Sequence, residues 1–366
     1  MGLAILHTES SLGWGGQEIR VLTEAAGVAR LGHDVLLAAP AQSRILAEAA
    51  RYGVKARALA RNRNGARGVL ALRQLLARHA FDVINCHSST DTWLAALARA
   101  TLASAPPIVR TRHISAPLPH NRSTRWLYNT ATARIVTTGE KLRKQVIAET
   151  GVEAPRVVSI PTGIDLGRFR PGDRSAARAS CGLAKDAPIV GIVATLRSWK
   201  GHRYLLEAFA AMKRPQALLV VVGDGPQRES LEAFAGELGI APQVRFAGNQ
   251  SDVAPWMQSL DVFCLPSYAN EGVPQALMQA MACGLPVLTT PVGSIEEIVE
   301  AGVTGVIVPP RNAERLRVEL EALLEDEERR ASLGARASAA ARERFGETLM
   351  VERMLRVFSE AAKKHG

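Results

Sequence analysis

The 366-residue sequence is poor in the residues that mark secreted, membrane-spanning and metal-binding proteins. Its four cysteines, Cys86, Cys181, Cys264 and Cys283, are scattered without the spacing of a metal site. Three of them fall in or next to apolar runs, so we expect buried, reduced thiols and a cytoplasmic location. No apolar run approaches the roughly 20 residues that span a bilayer. The first eight residues lack a basic segment and a cleavage site, so no signal peptide is expected.

Acidic residues are scarce in the first half of the chain. Residues 1–170 contain 23 Lys and Arg but only 11 Asp and Glu, a net charge of +12, whereas residues 171–366 carry −2. No acid lies between Asp91 and Glu140, and a second acid-free run, Arg51 to Arg67, carries six basic residues. Such a half implies an anionic partner: a membrane surface, a phosphorylated acceptor or nucleic acid. The alternative is a solvated basic face that keeps the protein soluble.

The rest of the composition is that of an ordinary soluble protein, with 47% hydrophobic and 22% charged residues. A chain of this length favours two domains. Its opening reads as the strand Leu3–His7, a glycine-rich loop and the helix Gln17–Leu31, which together begin a Rossmann-like domain. The loop is not G-x-G-x-x-G. Its adjacent Gly15 and Gly16 permit positive φ and a close approach of the backbone to a ligand.

The stretch from Val262 to Thr290 has the clearest pattern of a site. The apolar run Val262–Leu265 predicts a buried parallel strand, and the polar loop behind it ends in Glu271. Pro274 favours a helix start and Gly284 a helix end. Ligands of parallel sheets bind at the carboxyl ends of strands, and the next helix N-terminus favours phosphate. Glu271 can then hold hydroxyls of a phosphorylated sugar; the alternative is a buried βαβ unit with an incidental acid.

Other predicted strands deliver polar side chains to the same kind of edge. His87 and Asp91 follow one strand, and Asp91 or a neighbouring hydroxyl can cap a helix that starts at Thr92. His113 follows the strand Ile108–Arg112. A histidine at a strand end has either a structural role or a contact with ligand, and both interpretations remain open here.

The second half begins with another apolar strand, Pro188–Ala194, followed by Arg197 and Lys200. Two fixed positive charges at a strand end suit a diphosphate leaving group; the alternative is a pair of solvated basic residues on a loop. Near the C-terminus, Leu316–Arg344 is predicted as one charged helix, and Glu347–Ala362 as the last helix.

Several segments resemble family 4 glycosyltransferases, which are retaining enzymes of the GT-B fold. Residues 271–287, EGVPQALMQAMACGLPV, resemble the E-x7-E block of that family. Residues 161–169 resemble its P-x-G-[IV]-D-x-x-x-F signature, residues 223–226 its G-[DE]-G-P block, and Gly15-Gly16 its paired glycines. One position departs from the pattern: the second glutamate, the usual partner of the nucleotide ribose, is Gln279 here.

The resemblance implies an α/β fold of the GT-B type, with two Rossmann-like domains whose parallel sheets face each other across a cleft. Residues 1–170 would form the N-terminal acceptor domain and residues 171–345 the nucleotide-sugar donor domain. Residues 346–366 would form a C-terminal helix that crosses back and packs on the N-terminal domain.

The resemblance also implies transfer of a sugar from a nucleotide sugar, with a UDP-sugar favoured and no cofactor. Arg197 and Lys200 would neutralise the diphosphate, Glu271 would orient the sugar hydroxyls, and His113 would touch the sugar from the opposite wall. Because the sequence lacks D-x-D, no metal is expected. The predicted donor-binding residues are Gly15, Gly16, Thr195, Val253, Gly272, Val273, Gln275 and Gln279.

On the acceptor side we predict His87, Asp91, Arg122 and Arg125. The two arginines flank Trp126 in a segment that can meet a lipid surface. With the basic half, this predicts an anionic glycan or glycolipid acceptor, such as a phosphorylated lipopolysaccharide core, and peripheral association with the cytoplasmic face of the inner membrane.

Two alternatives remain. A non-hydrolysing nucleotide-sugar epimerase of the GT-B fold would need no acceptor. A basic nucleic-acid-binding protein on a Rossmann scaffold would show a steep dependence of binding on salt, but Glu271 would have no role in it, so no nucleic-acid partner is expected.

Overall fold

The computed structural model describes residues 2–59 and 65–363, so Arg61 and Arg63 of the predicted basic run lie outside the described residues. The chain forms two compact units, Met1–Gly163 with Glu347–Gly366, and Ile164–Gly346. The first unit therefore ends at Gly163 rather than at residue 170. Residues 171–186 belong to the second unit, because Arg178 is buried and its Nη2 lies 2.7 Å from Asp261 Oδ2.

Thirteen strands are present in the described residues. They are β1 (Ala4–Thr8), β2 (Asp34–Pro40), β3 (Lys55–Leu59), β4 (Val83–Cys86), β5 (Ile108–Arg112), β6 (Arg134–Thr137), β7 (Val157–Ser159), β8 (Ile189–Val193), β9 (Leu218–Val222), β10 (Val244–Gly248), β11 (Val262–Leu265), β12 (Val287–Thr289) and β13 (Val306–Ile307).

The α-helices alternate with the strands. They are α1 (Gly16–Arg30), α2 (Arg44–Glu48), α3 (Ala66–Arg78), α4 (Ser89–Arg99), α5 (Arg122–Trp126), α6 (Glu140–Thr150), α7 (Arg174–Ser180), α8 (His202–Ala211), α9 (Arg228–Glu237), α10 (Ala254–Gln258), α11 (Gln275–Ala282), α12 (Ala313–Glu325), α13 (Glu327–Arg344) and α14 (Glu347–Lys363). Short 3-10 or π turns occupy Ala49–Tyr52, Leu127–Ala131, Ala154–Arg156, Ser198–Lys200, Ala241–Gln243 and Ile295–Glu297.

Each unit contains one parallel sheet. The first has seven strands in the order β3-β2-β1-β4-β5-β6-β7, and the second has six in the order β10-β9-β8-β11-β12-β13. All paired strands are parallel. The strand order reverses between β1 and β4 in the first sheet and between β8 and β11 in the second. Ligands of such sheets bind outside the carboxyl ends of the strands at this switch point, so two edges are candidate sites.

The C-terminal helix belongs to the first unit. Helix α14 buries Met350, Val351, Met354 and Phe358 in the same core as Val21 of α1. Gly27 of α1 lies so close that a Cβ there would stand 2.4 Å from Val351 Cγ2. This confirms the predicted return of the last helix to the N-terminal domain.

Two sequence predictions about helices were wrong in detail. The segment predicted as one helix, Leu316–Arg344, is broken at Asp326, whose side chain accepts a hydrogen bond from Arg329 N at 2.8 Å and caps a new helix. Asp is a favoured N-cap residue, and its carboxylate satisfies a backbone donor at the start of the new helix. Helix α4 begins at Ser89 instead of Thr92. Among the described helices, none combines the length and apolar character required to span a membrane.

Candidate active site

The switch point of the second sheet brings together the loops after β8 and β11. The first loop carries Arg197 and Lys200, and the second carries Glu271. Lys200 Nζ lies 2.6 Å from Glu271 Oε1, and the two side chains are only 18% and 5% exposed. Ser267 Oγ donates to the same carboxylate oxygen at 2.6 Å. Two residues predicted from separate motifs, 71 positions apart, therefore form one partly buried ion pair.

Two glycines hold these loops at this spacing. Gly201 has φ +80, and a Cβ there would lie 2.0 Å from Pro266 O. Gly293 has φ +64, and a Cβ there would lie 2.1 Å from Glu271 O. The loops are also joined directly, because Tyr268 N donates to Trp199 O at 2.8 Å. Any side chain at either glycine would displace the backbone that carries Lys200 or Glu271.

The G-D-G-P turn supports Arg197. Leu196 N donates to Asp224 O at 3.0 Å, and Gln227 N donates to Leu196 O at 3.1 Å. Gly223 and Gly225 have φ +132 and +159, with Leu196 or Ala194 backbone atoms against them. The arginine itself is exposed, with its guanidinium 5.6 Å from the centroid of the Trp199 ring. The G-D-G-P turn, which carries part of the family resemblance, thus holds the loop of a candidate diphosphate ligand.

The predicted donor-binding residues of this unit lie around the same edge. Pro274 is the N-cap of α11, so the helix starts one residue after it, and Gly284 has the expected positive φ, +77. Val273 is buried, Gly272, Gln275 and Gln279 are half-buried, and Thr195 is exposed. Val253 is the N-cap residue of α10.

The switch point of the first sheet holds a row of three histidines. His7 Nδ1 lies 3.0 Å from His87 Nε2, and His87 Nδ1 lies 3.1 Å from His113 Nε2. The ring planes are inclined by 11° and 32° with centroids 5.3 and 5.4 Å apart, so the rings meet edge to edge. His87 and His113, predicted for the acceptor and donor side, are thus in direct contact through a row that begins at His7 inside β1.

Burial makes these imidazoles neutral. Desolvation lowers the pKa of His7 to about 3. The pKa values of His87 and His113 are also well below the ordinary range, first because of burial and then because of neighbouring positive charge, including Arg20. His113 is therefore not a cationic ligand; it can donate one hydrogen bond and accept another.

A buried ion pair lies beside the row. Arg20 and Glu24 are both fully buried, with Arg20 Nε 3.7 Å from Glu24 Oε2. Asn85 Nδ2 donates to Glu24 Oε1 at 2.8 Å, and burial raises the pKa of Glu24 to about 7. His7, Glu24 and His87 bring one possible ligand atom each within 4.8 Å of one another. The Arg20 guanidinium next to Glu24 opposes a second cation there, which favours a hydrogen-bonded cluster over a metal site.

Asp91 has a different position from the predicted N-cap. Ser88 is the N-cap of α4, and Asp91 completes the capping box as the third residue of the helix. Its carboxylate also accepts from Thr8 Oγ1 at 2.8 Å and from His87 N at 2.9 Å. These bonds tie the ends of β1 and β4 together, so Asp91 positions the histidine row.

The first glycine loop does not use the positive φ that its glycines permit. Gly15 is the extended N-cap of α1, with φ −174, and Gly16 is the first helical residue. A Cβ at Gly15 would meet only Glu18 Oε2, at 3.8 Å. The loop is held by Glu9, which accepts from Ser11 N at 2.7 Å and from Gln17 Nε2. Burial and then Asp91 raise the pKa of Glu9 to about 8.

Arg122 and Arg125 are exposed on the short helix α5, and neither forms an ion pair with another of the described residues. Their neighbour Trp126 stacks on Trp93 of α4, with ring centroids 5.9 Å apart. Leu97, one turn after Trp93, is 45% exposed. The helices α4 and α5 therefore share a surface with aromatic, aliphatic and basic side chains.

A separate cavity of about 270 Å³ lies where β6 begins and is lined by Arg99, Arg134 and Arg156 among others. Arg134 forms an ion pair with Glu360 at 2.7 Å. Arg156 donates to the carbonyls of residues 128, 129 and 132. Two of the three guanidinium groups thus have structural partners.

Sequence reasoning missed His7, Glu9 and Ser267. The available signal for His7 was a polar side chain inside the apolar strand β1. Glu9 directly follows the same strand, and Ser267 is the second residue after β11. All three are buried.

Two sequence families match successive parts of the chain. Glycosyltransferase Family 4 matches residues 14–168, and Glycosyl transferases group 1 matches residues 173–340. A D-inositol 3-phosphate glycosyltransferase from Thermobispora bispora is 30% identical over 328 residues, which are 81% of this chain and 74% of that protein.

Solved structures share the whole architecture. A glycosyltransferase from Rickettsia africae has a TM-score of 0.88 at 18% identity, covering 99% of both chains. Anabaena Alr3699/HepE in complex with UDP-glucose has a TM-score of 0.87 at 23% identity, covering 98% of this chain and 100% of that one. Identities this low establish the fold alone, while the sequence matches establish the family. The chain belongs to glycosyltransferase family 4 and is a glycosyltransferase of the GT-B fold.

Proposed function

We propose that the protein transfers a sugar, with retention of configuration, from a UDP-sugar to a hydroxyl of an anionic glycan or glycolipid. The observation that carries this proposal is the Lys200–Glu271 pair at the switch point of the second sheet, at 2.6 Å. An ammonium has three donors and a carboxylate four acceptor sites. Each partner can therefore keep the ion pair and still bind a substrate group.

Each residue has a distinct part in this reaction. Arg197 and Lys200 stabilise the negative charge that develops on the diphosphate as the anomeric bond breaks. Glu271 accepts hydrogen bonds from sugar hydroxyls. Gln279 accepts one ribose hydroxyl and donates to the other, without the charge of the usual glutamate. His113, which is neutral, bonds to the sugar without adding positive charge near an anomeric centre that itself becomes cationic.

The donor can be identified by thermal-shift measurements with UDP, GDP, ADP and their common sugars. A nucleotide sugar at about 100 times its dissociation constant should stabilise the protein by about 2.7 kcal/mol. The shift should disappear in Arg197→Ala and persist in Lys185→Ala, which removes an exposed lysine of the same unit. A GDP- or ADP-sugar as the one stabilising ligand would contradict the UDP assignment. Product of inverted configuration would contradict retention.

Two further assays separate this function from its alternatives. Turnover should be unchanged by a chelator, and turnover that depends on added metal would contradict metal-independent transfer. The nucleotide sugar incubated without acceptor should not be converted to another nucleotide sugar, because an epimerase alone would do that.

For the acceptor, we propose an anionic glycolipid of the lipopolysaccharide-core type or a similar phosphorylated glycan at an anionic membrane surface. The support is the net charge of +12 in residues 1–170 and the exposed Arg122 and Arg125 beside stacked tryptophans. The name of the Thermobispora relative also indicates a phosphorylated acceptor for that protein.

The surface hypothesis is tested by sedimentation with vesicles of phosphatidylglycerol or of phosphatidylcholine alone. Binding should require the anionic lipid, weaken with salt and be lost in the double variant Arg122→Glu/Arg125→Glu. Arg73→Glu reverses an exposed arginine on α3 of the same unit and serves as the control. Equal binding of both variants would argue for a soluble acceptor.

A further inference from the structure

The histidine row of the first unit leaves only two arrangements of its protons. Each imidazole is neutral and carries one proton, and each of the two contacts needs one donor and one acceptor. Either every ring carries its proton on Nδ1, or every ring carries it on Nε2. In the first case His7 donates to His87, which donates to His113, and His113 Nδ1–H remains for a ligand. In the second case the direction is reversed and His113 Nδ1 is a bare acceptor.

The inner end of the row distinguishes the two arrangements. His7 Nε2 is buried and has no hydrogen-bond partner among the described residues. With protons on Nε2, this atom would be a buried N–H donor without an acceptor, a rare and costly situation in proteins. With protons on Nδ1, His7 Nε2 carries only an unpaired lone pair, and leaving a buried acceptor unsatisfied costs less than leaving a buried donor unsatisfied. The geometry therefore favours the Nδ1–H form throughout the row.

Most of the surroundings oppose a charged imidazole in the row. Arg20 and Arg110 contribute positive charge near His113. Glu24, which lies in the same cluster as His7 and His87, would by itself favour imidazolium, but it is paired with Arg20 and burial raises its own pKa to about 7. From α14, the ring of Phe358 packs edge-on against His7 with centroids 6.1 Å apart. Burial against this ring and beside fixed arginines disfavours imidazolium at any of the three positions.

We infer that His7 and His87 are positioning residues that hold His113 as a neutral hydrogen-bond donor, with its proton on Nδ1, toward the sugar or acceptor hydroxyl in the transfer reaction. This inference rests on the proposed role of His113 in the active site. It assigns a role to His7, which lies inside a strand and touches the ligand only through its neighbours.

The tautomers can be measured directly on the full-length protein without substrate. Labelling with ¹⁵N-histidine and recording long-range ¹H–¹⁵N correlations distinguishes Nδ1–H, Nε2–H and charged imidazole. The sequence has eight histidines, and single replacements of His7, His87 and His113 assign the relevant signals. With a chelator present, all three should be neutral Nδ1–H forms from pH 6 to pH 8. An Nε2–H form at His87 or His113, or a charged ring in this range, would overturn the inference.

Variants of His7 then test the coupling. His7→Phe keeps an aromatic ring against Phe358 and leaves His87 Nε2 as the unpartnered inner end of the row, so His87 and His113 should keep their Nδ1–H forms while His87 loses a hydrogen bond that orients its ring. His7→Asn supplies an amide N–H near the position of Nδ1 and should restore that hydrogen bond. His120→Phe, at an exposed histidine of the same unit, is the control and should change neither ring. An Nε2–H form at either ring in His7→Phe would contradict the argument from the unpartnered inner end of the row.

Activity completes the test once the donor is known. In His7→Phe, kcat/KM should fall by up to about tenfold, the value of one neutral hydrogen bond, and His7→Asn should recover most of the loss. If transfer is unchanged in His7→Phe, the positioning role of His7 is refuted while glycosyl transfer itself stands. If instead Arg197→Ala leaves transfer intact, the proposed donor site fails independently of the histidine row.

Discussion

Removing one partner of the Lys200–Glu271 pair should have very unequal effects on stability. In Lys200→Met, the Glu271 carboxylate remains 5% exposed and loses its cation, while Ser267 still donates to it. Leaving a buried charge without its partner costs about 3–5 kcal/mol. Because the Lys200 side chain is 18% exposed and water can partly replace it, we expect the lower end, about 3 kcal/mol.

In Glu271→Gln, the shape and one acceptor remain, and the lysine can turn toward water, so we expect a loss of only about 1 kcal/mol. The double variant removes both charges and should lie near Glu271→Gln rather than at the sum of the single losses. The difference is the coupling between the two side chains, about 3 kcal/mol if the pair is as buried as the structure shows.

Stability should be measured by urea unfolding, with hydrogen exchange in peptides from residues 188–290 as the readout. This readout gives the free energy of unfolding of the second unit alone, so the unfolding of the two units is not treated as one transition. Lys185→Met, at an exposed lysine, should stay within about 0.5 kcal/mol of the unmodified protein. The reasoning is refuted if Lys200→Met is as stable as Lys185→Met, or if the double variant is less stable than Lys200→Met. All variants at Lys200 and Glu271 should lose transfer activity, so activity cannot substitute for the stability measurement.

Three other changes have definite expected results. Between about pH 3 and 6.5 the unfolded chain binds a proton at His7 that the native protein does not, because the pKa of His7 in the native protein is about 3. The free energy of unfolding should therefore fall as the pH falls through this window. In urea titrations of His7→Phe, the slope of the free energy of unfolding against pH should be smaller by up to about 1.4 kcal/mol per pH unit. Gly293→Ala should abolish nucleotide-sugar binding in thermal-shift assays, because the new Cβ would lie 2.1 Å from Glu271 O and the backbone of Glu271 would have to move. Gly302→Ala is the control: Gly302 has φ +74 and open space around it, so the variant should lose only about 1–2 kcal/mol of stability and keep binding. Ser88→Ala should lose the capping box of α4 and about 1 kcal/mol in thermal unfolding.

The candidate site could be predicted from the sequence because strand ends and helix starts have local signals. The apolar run before Glu271, the proline and glycine around α11 and the basic pair after β8 each depend on a few neighbouring residues. The direct contact between Lys200 and Glu271 had no such signal, because it depends on the pairing of β8 with β11 and on Gly201 and Gly293, which allow the loops to approach.

The errors have equally specific causes. Asp326 was read as one more charge in a helix, although the same carboxylate can cap a new helix. Gly15 was expected to permit positive φ or a close approach of the backbone to a ligand, whereas its backbone is extended, with φ −174, and its missing side chain leaves space. His7 passed unnoticed because one polar residue in a five-residue strand does not change the apolar pattern, and its partner His87 lies 80 residues away in the sequence.

The net charge counted from the sequence must also be corrected for basic residues that are buried. Among the basic residues of the first unit, Arg20 is fully buried against Glu24, and Arg110 and Arg112 are 4% and 8% exposed. Arg112 donates to Tyr128 Oη and Ala116 O, and so is held inside the unit. Because these three arginines are buried, they cannot form direct ion pairs with an outside partner, and the net charge of +12 overstates the number of such contacts. An acceptor or membrane contacts exposed residues such as Arg122 and Arg125. Reversing these two charges should therefore weaken binding much more than their share of the total charge implies.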